Sequence, residues 1–400
     1  VGQTVVVKDR AIVAIEAKTG KYRWHFQQVH HDIWDYDAPS PVVLFDIELN
    51  GRMRKGLAEP GKTGWVYILD RVTGKPLIGI EERPVPQQPR QKTARTQPYP
   101  VGDAFVPQHI DIAPEGYRLE NQGRIFTPFL VEDTVIKPGQ GGGANWPGSS
   151  YDPNSGYLYV CAVDRAGVFS GGDSDFELPA PGARYIGGKF GSITYGVLGT
   201  FSAVNMRTNK LVWQQQWPER CYGGSVATAG GLIFTGRSDG RLIALDSKDG
   251  FRRWEFQTGA GVNAPVSVFE HKGRQHIVAY SAGNQFSGSA RGDSVWLFSQ
   301  EGKLGPAEPP VTTTATAPQV PAEANLANGR TVFEASCSSC HGAKGEGGHG
   351  GGPALTKATN RATVVQLVTG GRDQMPAFGR ILTPEDIRDV SAHVVETLPH

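Results

Sequence analysis

A repeated strand–turn–strand unit, with a tryptophan in its second strand in most copies, constrains the fold more than any other feature of the chain. Each copy alternates apolar and polar residues and closes its turn with Gly or Asn, which accept the positive φ of a hairpin turn. Two copies begin 41 residues apart, at Ala203 and Ala244, close to the ~40–45 residues of a four-stranded propeller blade. The repeat therefore predicts a mainly β fold and favours a propeller over a generic sandwich. The copies are residues 14–20 with Trp24, 68–74, 203–209 with Trp213, and 244–250 with Trp254.

Composition agrees with this prediction and excludes two classes of partner. The 400 residues include 52 Gly and 28 Pro, which favour many tight turns and short strands. Lys and Arg (40) nearly balance Asp and Glu (39), so no basic surface for nucleic acid or an anionic membrane is expected. No apolar run approaches the ~18–20 residues that span a bilayer.

Two segments interrupt the repeat and divide the chain. Residues from about 81 to 143 are rich in Pro and Gln, and we expect a long excursion without strands, of the kind that is functional or disordered. Residues 304–323 are rich in Pro, Thr and Ala and predict a semi-extended linker. The domains expected are thus a propeller part (1–303), the linker (304–323) and a small all-α domain (324–400).

The all-α domain is predicted from three helical stretches. Helical patterns cover residues 325–335 and 363–369. The last helix begins at Thr383, followed by Pro384 and two acids, an arrangement typical of a capped helix N-terminus.

Cys337-Ser-Ser-Cys340-His341 is the motif that attaches c-type haem. Both thiols bond the haem, and His341 is held against the iron as its proximal ligand. A zinc or redox site is the alternative for a bare Cys-x-x-Cys, but neither requires the adjacent His, and no second such motif occurs. Met375 lies in a loop before the last helix and is the expected sixth iron ligand. We expect His349 and His393 to be surface residues.

The other two cysteines are isolated, and the haem motif indicates the compartment. We expect Cys161 and Cys221 to be buried free thiols, with a mutual disulfide as the alternative. Haem c is attached covalently outside the cytoplasm. The chain is therefore expected in the periplasm or at the outer face of the inner membrane.

A second cluster of chemically capable residues lies at 30–37, which read His-His-Asp-Ile-Trp-Asp-Tyr-Asp. Its three carboxylates are Asp32, Asp35 and Asp37. Carboxylates beside aromatic rings are costly to bury without a metal, a cation or a reaction to perform. An acidic surface loop is the alternative.

Residues 24–70, and the cluster within them, resemble the dehydrogenases that depend on pyrroloquinoline quinone (PQQ), an eight-bladed propeller family. The cluster is most similar to the glucose dehydrogenase branch. With the haem domain, the whole resembles the quinohaemoprotein dehydrogenases. Further matching segments are residues 61–71, Asn145-Trp146 after a Gly run, residues 222–236 and residues 261–265.

The resemblance implies a role for several residues. Asp35 corresponds to the catalytic base that takes the proton of the substrate hydroxyl, and Lys62 to the cation that hydrogen-bonds the quinone oxygens. Asn145 and Trp146 correspond to a pair that contacts PQQ. Two further roles are implied: a substrate pocket shaped by His30 and His31, and a metal site at Asp35 and Asp37 for calcium, magnesium or a lanthanide, which one carboxylate cannot distinguish.

The resemblance also implies that part of the family's propeller is absent. This chain supplies roughly the last four or five blades, if each blade takes ~40–45 residues. The family's metal-binding Glu and Asn, its vicinal cysteine pair and most contacts to the PQQ carboxylates belong to the N-terminal half. We therefore expect the chain alone to bind haem, but to hold PQQ and its metal poorly.

The function expected is PQQ-dependent oxidation of a sugar, polyol or alcohol hydroxyl. Electrons would pass from PQQ through haem c to an external acceptor, which is a quinone, a cytochrome or an oxidase. A missing N-terminal propeller half is an expected partner, and nucleic acid is not. The alternative is a non-catalytic electron-transfer or binding protein with a degenerate, incomplete propeller.

Overall fold

The structure is a computed structural model with a β-rich part followed by a helical part. It describes residues 11–129, 131–171, 188–193, 198–310, 324–347, 352–355, 358, 360–371, 375–379 and 381–398. None of the helices in these ranges combines the length and apolar character needed to cross a membrane.

The β-rich part contains 22 strands in the described residues, which pair in antiparallel fashion into seven sheets. The strands are β1 (Ala11–Ile15), β2 (Tyr22–Gln27), β3 (Val43–Leu49), β4 (Arg52–Pro60), β5 (Val66–Asp70), β6 (Ile80–Pro84), β7 (Thr96–Pro100), β8 (Thr134–Ile136), β9 (Gly143–Ala144), β10 (Ser150–Asp152), β11 (Tyr157–Val163), β12 (Ala166–Gly171), β13 (Gly188–Ile193), β14 (Gly199–Asn205), β15 (Lys210–Trp217), β16 (Val226–Ala227), β17 (Leu232–Gly236), β18 (Arg241–Asp246), β19 (Arg252–Gln257), β20 (Ser267–His271), β21 (Arg274–Ser281) and β22 (Ser294–Ser299).

Most sheets are meanders of neighbouring strands, as the repeat predicts. The sheet β16-β17-β18-β19 has four strands in chain order, and β3-β4-β5 and β20-β21-β22 have three. A further sheet has the order β10-β11-β14-β15, and β9 also pairs with β11. Between β11 and β14 the chain leaves this sheet, and β12 and β13 form a separate sheet of order β13-β12-β8. The hairpin β1-β2 and the hairpin β6-β7 complete the set.

The repeat has the same register in three copies. An alanine of the first strand pairs with the tryptophan of the second, and the register shifts immediately after it. The turn residues have positive φ in all four copies, so their identification as turn-closing Gly or Asn is confirmed. The pairs are Ala14–Trp24, Ala203–Trp213 and Ala244–Trp254, and the turn residues are Gly20 (68°), Gly74 (71°), Asn209 (55°) and Gly250 (73°).

Two of these tryptophans pack on the glycine turn of a following sheet. A Cβ at Gly74 would lie 2.6 Å from the Trp24 ring, and one at Gly250 would lie 2.7 Å from the Trp213 ring. Such distances exclude a side chain at either glycine. These two turns thus need glycine for close approach as well as for their positive φ.

The excursion contains more regular structure than the sequence predicts. Strands β6 and β7 form a hairpin at 80–100, and β8 joins β12. The segment also has two 3₁₀ turns, Pro89–Gln91 and Asn121–Gly123. The expectation of an excursion without strands is therefore wrong. Prolines are tolerated here because β6-β7 is a two-stranded sheet, in which every strand is an edge strand.

The isolated cysteines are not free thiols. Cys161 and Cys221 form a disulfide of 2.03 Å that links β11 to the segment after β15, with 5.4 Å between the Cα atoms. The expectation of buried free thiols is wrong because residues 60 apart in sequence become neighbours only through sheet packing. Both lie in a core cluster with Trp217 and Ile233, which joins two consecutive sheets.

The helical part follows the predicted pattern. Its helices are α1 (Leu326–Ser336), α2 (Ser338–His341), α3 (Arg361–Gly370) and α4 (Pro384–Glu396). Thr383 and Asp386 form a reciprocal capping box at the start of α4, which confirms the predicted N-terminus. A polar contact between described residues joins the two parts of the chain directly: Arg291 Nη2 donates to Ser336 Oγ at 2.7 Å. Residues 304–310 lack regular structure, and the rest of the predicted linker lies outside the described residues.

Candidate functional site

The Lys62 ammonium lies between two of the predicted carboxylates. Its Nζ is 3.0 Å from Oδ2 of Asp35 and also contacts Oδ1 of Asp37. The Lys62 side chain is 9% exposed, whereas that of Asp35 is 51% exposed. Burial alone would lower the pKa of Lys62, but Asp35 and Asp37 outweigh it and hold that pKa above 10.5. The structure therefore brings Asp35, Asp37 and Lys62 together around one buried positive charge.

Two buried aromatic side chains hold Asp35 in place. Trp34 Nε1 donates to the carbonyl of Thr127 at 2.7 Å, and the Tyr36 hydroxyl donates to the carbonyl of Pro138 at 2.6 Å. The two rings stack with centroids 5.8 Å apart. Asp35 has a φ of 66°, which is unfavourable for a residue with a side chain. The anchored rings on both sides hold it there.

Lys62 lies in the turn between β4 and β5, and β9 packs against that turn. The amide of Ala144 donates to the carbonyl of Gly61 at 3.1 Å. A Cβ at Gly143 would overlap the Lys62 backbone, so only glycine allows this approach. The β9 contact therefore brings the following residues, Asn145 and Trp146, next to the Lys62 turn.

Asn145 and Trp146 present different surfaces. Asn145 is buried, and its Oδ1 accepts from the amide of Trp146 at 3.0 Å. The Trp146 indole is 54% exposed and meets the rings of Tyr222 and Phe286 edge-on. An open indole beside an amide and a cation fits a flat, polar aromatic ligand such as PQQ, through stacking and hydrogen bonding.

His30 and His31 contact the excursion. His30 Nε2 lies 2.9 Å from Oε1 of Glu82, and His31 Nε2 lies 2.9 Å from the carbonyl of Gln91. These contacts tie the acidic cluster to the hairpin β6-β7 and the 3₁₀ turn that follows β6. The role of either histidine in a substrate pocket stays a prediction.

The described residues do not assemble a metal site around Asp35 and Asp37. No group of three or more His, Cys, Asp or Glu side chains converges there in a way that could hold a metal ion, within the ranges described. The Lys62 ammonium already contacts both carboxylates. A metal role for Asp35 and Asp37 remains a prediction, and no reaction step is derived through a metal.

Three side chains to which sequence reasoning gave no role lie close to one another: Tyr222, Arg165 and Arg220. Burial raises the pKa of Tyr222, and the charges of Arg220, Lys62 and Arg165 oppose this rise. The cations are thus close enough to act on one phenol. The sequence matched Tyr222 to the family but gave it no role, and the two arginines carried no local motif.

A buried acid and amide were also missed. Glu59 and Gln28 are each 1% exposed, and their side-chain oxygen and nitrogen atoms have no hydrogen-bond partner among the described residues. Burial raises the pKa of Glu59 to about 9, so this carboxyl is protonated at neutral pH.

The Cys-x-x-Cys-His motif presents two thiols and an oriented histidine ring. Cys337 and Cys340 are free, and His341 Nδ1 lies 2.8 Å from the carbonyl of Pro353. This contact orients the ring and leaves Nε2 for an iron ligand bond. Met375 packs, partly buried, against the core cluster that contains Cys337. Thiols, an oriented imidazole and a thioether fit haem c.

The expectation that His393 is a surface residue is wrong. Its side chain is 5% exposed, and its ring centroid lies 5.6 Å from that of Phe333. Helices α1 and α4 pack closely at Gly329 and cover His393. His349 lies outside the described residues.

Three family descriptions match segments of the chain. Residues 9–174 match "Glucose/ethanol/alcohol dehydrogenase, beta-propeller domain", and residues 324–394 match "Cytochrome C oxidase, cbb3-type, subunit III". Residues 198–338 match "Outer membrane protein assembly factor BamB".

Curated relatives cover nearly the whole chain. The quinohaemoprotein alcohol dehydrogenase ADH IIB of Pseudomonas putida is 27% identical over 96% of this chain and 56% of its own length. The 1-butanol dehydrogenase (cytochrome c) of Thauera butanivorans is 28% identical over 97% of this chain and 56% of its own length. The chain thus spans about half the length of the curated relatives it matches.

Solved structures confirm the fold. The quinohaemoprotein alcohol dehydrogenase of Comamonas testosteroni matches with a TM-score of 0.60 and 25% identity, over 98% of this chain and 57% of its own. A europium-containing methanol dehydrogenase matches with a TM-score of 0.52 and 25% identity, over 69% of this chain and 45% of its own. The mainly β, propeller-like fold with a C-terminal cytochrome domain is therefore confirmed.

Proposed function

We propose that this chain, which its propeller and cytochrome parts relate to the quinohaemoprotein alcohol dehydrogenases, takes part in PQQ-dependent oxidation of an alcohol, polyol or sugar hydroxyl. The observation that carries the proposal is the Lys62 ammonium held between Asp35 and Asp37. A base and a cation within hydrogen-bond distance of each other suit the removal of a proton beside a group that gains negative charge.

Asp35 is proposed as the base. PQQ, when bound, supplies the electrophilic carbonyl that accepts hydride from the substrate carbon. The half-exposed Asp35 carboxylate can reach a substrate hydroxyl and take its proton. Its position is fixed by the anchored rings of Trp34 and Tyr36, so the oxygen atoms need little reorganisation.

Lys62 is proposed to hold the Asp35 carboxylate in place and to donate hydrogen bonds toward the cofactor oxygens. An ammonium has three donors, and two of its directions are taken by Asp35 and Asp37. The remaining donor direction is available for a ligand oxygen. Asn145 and Trp146 are proposed to contact the same ligand, as an amide and a stacking surface.

The cytochrome part is proposed to carry electrons away one at a time. Haem c would supply a one-electron centre there, and Cys337, Cys340, His341 and Met375 would hold it. Arg291 contacts Ser336, the residue before Cys337, and so holds the attachment motif against the β-rich part. The proposed final acceptor is a quinone, a cytochrome or an oxidase.

Compartment and blade number are also proposed. The Cys161–Cys221 disulfide supports an oxidising compartment, and c-type haem attachment supports the periplasm or the outer face of the inner membrane. We propose that the described sheets form part of an eight-bladed propeller, which the length of the relatives supports. We propose that calcium, magnesium or a lanthanide binds at Asp35 and Asp37, and that this binding requires further ligands besides these two carboxylates.

The test is reduction of the haem by substrate. Because the chain alone is expected to hold PQQ and its metal poorly, the haem-loaded chain is mixed with PQQ and calcium in large excess. Ferrous haem is then followed after addition of ethanol, glycerol or glucose. PQQ-dependent reduction that is lost in Asp35→Asn and kept in Glu48→Gln, an exposed surface change, supports the proposal. Equal PQQ-dependent reduction in the Asp35→Asn variant overturns the assignment of Asp35. No reduction with any of the three overturns the proposal for the chain by itself.

A further inference from the structure

Arg165 and Arg220 are two partly buried arginines that lack an acidic partner in the described part of the chain. The acids beside them in sequence pair elsewhere. Asp164 lies 2.8 Å from Lys137 Nζ, and Glu219 accepts from Arg237. Arg165 Nε is buried and has no hydrogen-bond partner among the described residues, and Arg220 Nη1 donates to the carbonyl of Phe286. Most of the guanidinium donors are therefore left for a ligand.

Sheet pairing brings the two arginines to the same edge. Val163, two residues before Arg165, pairs with Gly143 on one side and with Gly199 on the other. A Cβ at Gly199 would lie 3.3 Å from the carbonyl carbon of Arg220, so the Arg220 backbone adjoins that end of β14. The Cys161–Cys221 disulfide fastens the same two segments together.

The same edge adjoins the Lys62 turn. Gly143, the other partner of Val163, packs directly on the Lys62 backbone. Arg165 Nη1 reaches back to Gly141, on the approach to β9. Phe286, whose carbonyl accepts from Arg220, packs its ring against Trp146. The two arginines therefore adjoin the segment that carries Asn145 and Trp146.

Two uncompensated cations in this position are costly. Burial, and to a smaller extent the charge of Arg220, lower the pKa of Arg165 to about 9. Burial also lowers the pKa of Arg220. Such an arrangement is stabilised when an anion is bound between the two guanidinium groups. Guanidinium groups match the planar, two-oxygen geometry of a carboxylate.

We propose that Arg165 and Arg220 form a receptor for a carboxylate, next to Tyr222 and the Lys62 turn. This inference rests on the proposed function, which makes the position beside Lys62 a cofactor and substrate site. The carboxylate has two possible sources: PQQ itself, which is a polycarboxylate, or an alcohol substrate that carries an acid group. In the second case the receptor sets a preference for hydroxy acids over neutral alcohols.

The test measures binding and not turnover, so it can fail independently of the proposed function. PQQ, glycerate and glycerol are titrated by calorimetry into the haem-loaded chain and into Arg165→Gln, Arg220→Gln and the double variant. Arg118→Gln is the control, since the Arg118 side chain is 91% exposed. Thermal unfolding and the haem spectrum check that each variant is folded. Lys variants at both positions replace the Gln variants if those do not fold.

We expect roughly ten- to hundredfold weaker binding of the true carboxylate ligand in the Gln variants, the range for loss of a charged hydrogen bond. Weaker PQQ binding identifies the cofactor as the source, and weaker glycerate binding with unchanged PQQ binding identifies the substrate. Glycerol, which has no carboxylate, should bind all variants alike. Unchanged binding of both carboxylates, or no binding of either to the unmodified chain, overturns the proposal.

Discussion

The Nζ of Lys62 lies 3.0 Å from Oδ2 of Asp35, and the cation of this pair is buried while the carboxylate is half exposed. The buried Lys62 ammonium is therefore held in place, whereas the half-exposed Asp35 carboxylate can contact a substrate. Asp37 contacts the same ammonium, so removal of either carboxylate leaves Lys62 with one counterion. This asymmetry permits separate tests of the three residues.

Asp35→Asn should lower substrate-driven haem reduction by roughly 10²–10⁴, because the amide keeps the shape but cannot accept a proton. Lys62 retains Asp37 as a partner, so the fold should survive. The rate is measured in an enzyme that turns over with the unmodified sequence. The matched variant Asp32→Asn should lose much less, and the reverse order would assign the base to Asp32.

Lys62→Met should change the stability of the chain at high pH. The pKa of Lys62 in the folded chain is above 10.5. The Lys62 ammonium therefore stabilises the folded chain fully at any pH below the pKa that Lys62 has in the unfolded chain. The effect is lost as the pH rises through the folded value. Thermal unfolding between pH 9 and 12 should therefore show a steeper fall for the unmodified chain than for Lys62→Met. Lys55→Met, at an exposed position on β4, should behave like the unmodified chain.

Glu59→Gln should remove a pH dependence of the free energy of unfolding between about pH 4.5 and pH 9. The folded chain holds the Glu59 proton with a pKa of about 9, against an ordinary value of 4.5. The free energy of unfolding should thus fall as the pH rises from about 4.5 to about 9, by up to about 1.4 kcal/mol per pH unit for one group. Denaturation curves at several pH values measure this. Glu48→Gln, on the neighbouring strand and exposed, should leave the slope intact, and an equal slope in Glu59→Gln would refute the buried proton.

Cys161→Ala combined with Cys221→Ala should lower the free energy of unfolding by about 2–5 kcal/mol, the usual cost of removing a native disulfide. The disulfide joins segments that are 60 residues apart, and its loss frees the unfolded chain. Denaturant titration under oxidising conditions gives the value. Addition of reductant should lower the free energy of unfolding of the unmodified chain by a similar amount. The same reductant should leave the free energy of unfolding of the double variant unchanged.

Met375→Ala should abolish the Met-to-iron charge-transfer band of ferric haem and lower the reduction potential, since a thioether ligand favours ferrous iron. Met206→Leu is the control, because Met206 lies in the propeller core. An unchanged band in Met375→Ala would contradict the ligand assignment.

The features that could be predicted from sequence are those determined by neighbouring residues. The turn at Gly250, the cap at Thr383 and the haem motif depend on local backbone conformation and spacing, which the sequence shows directly. Residues 30–37 were singled out for the density of their carboxylates. The roles of these residues are implied by the resemblance to the family.

The features that were missed depend on contacts between distant segments. Arg165 and Arg220 meet because β11 pairs with both β9 and β14, and no local pattern marks either residue. The Cys161–Cys221 disulfide has the same cause. The hairpin β6-β7 was missed because its Pro content argues against strands, although edge strands tolerate proline.

The packing of Trp24 on Gly74 also has a consequence for how the chain folds. The Trp24 indole can be covered only when the turn at Gly74, in the next copy of the repeat, has been made. A growing chain can complete contacts of this kind in order from its N-terminal side. The Trp24 ring is then exposed only until the next copy has been made, which limits the opportunity for aggregation through this ring while the rest of the chain is still being made.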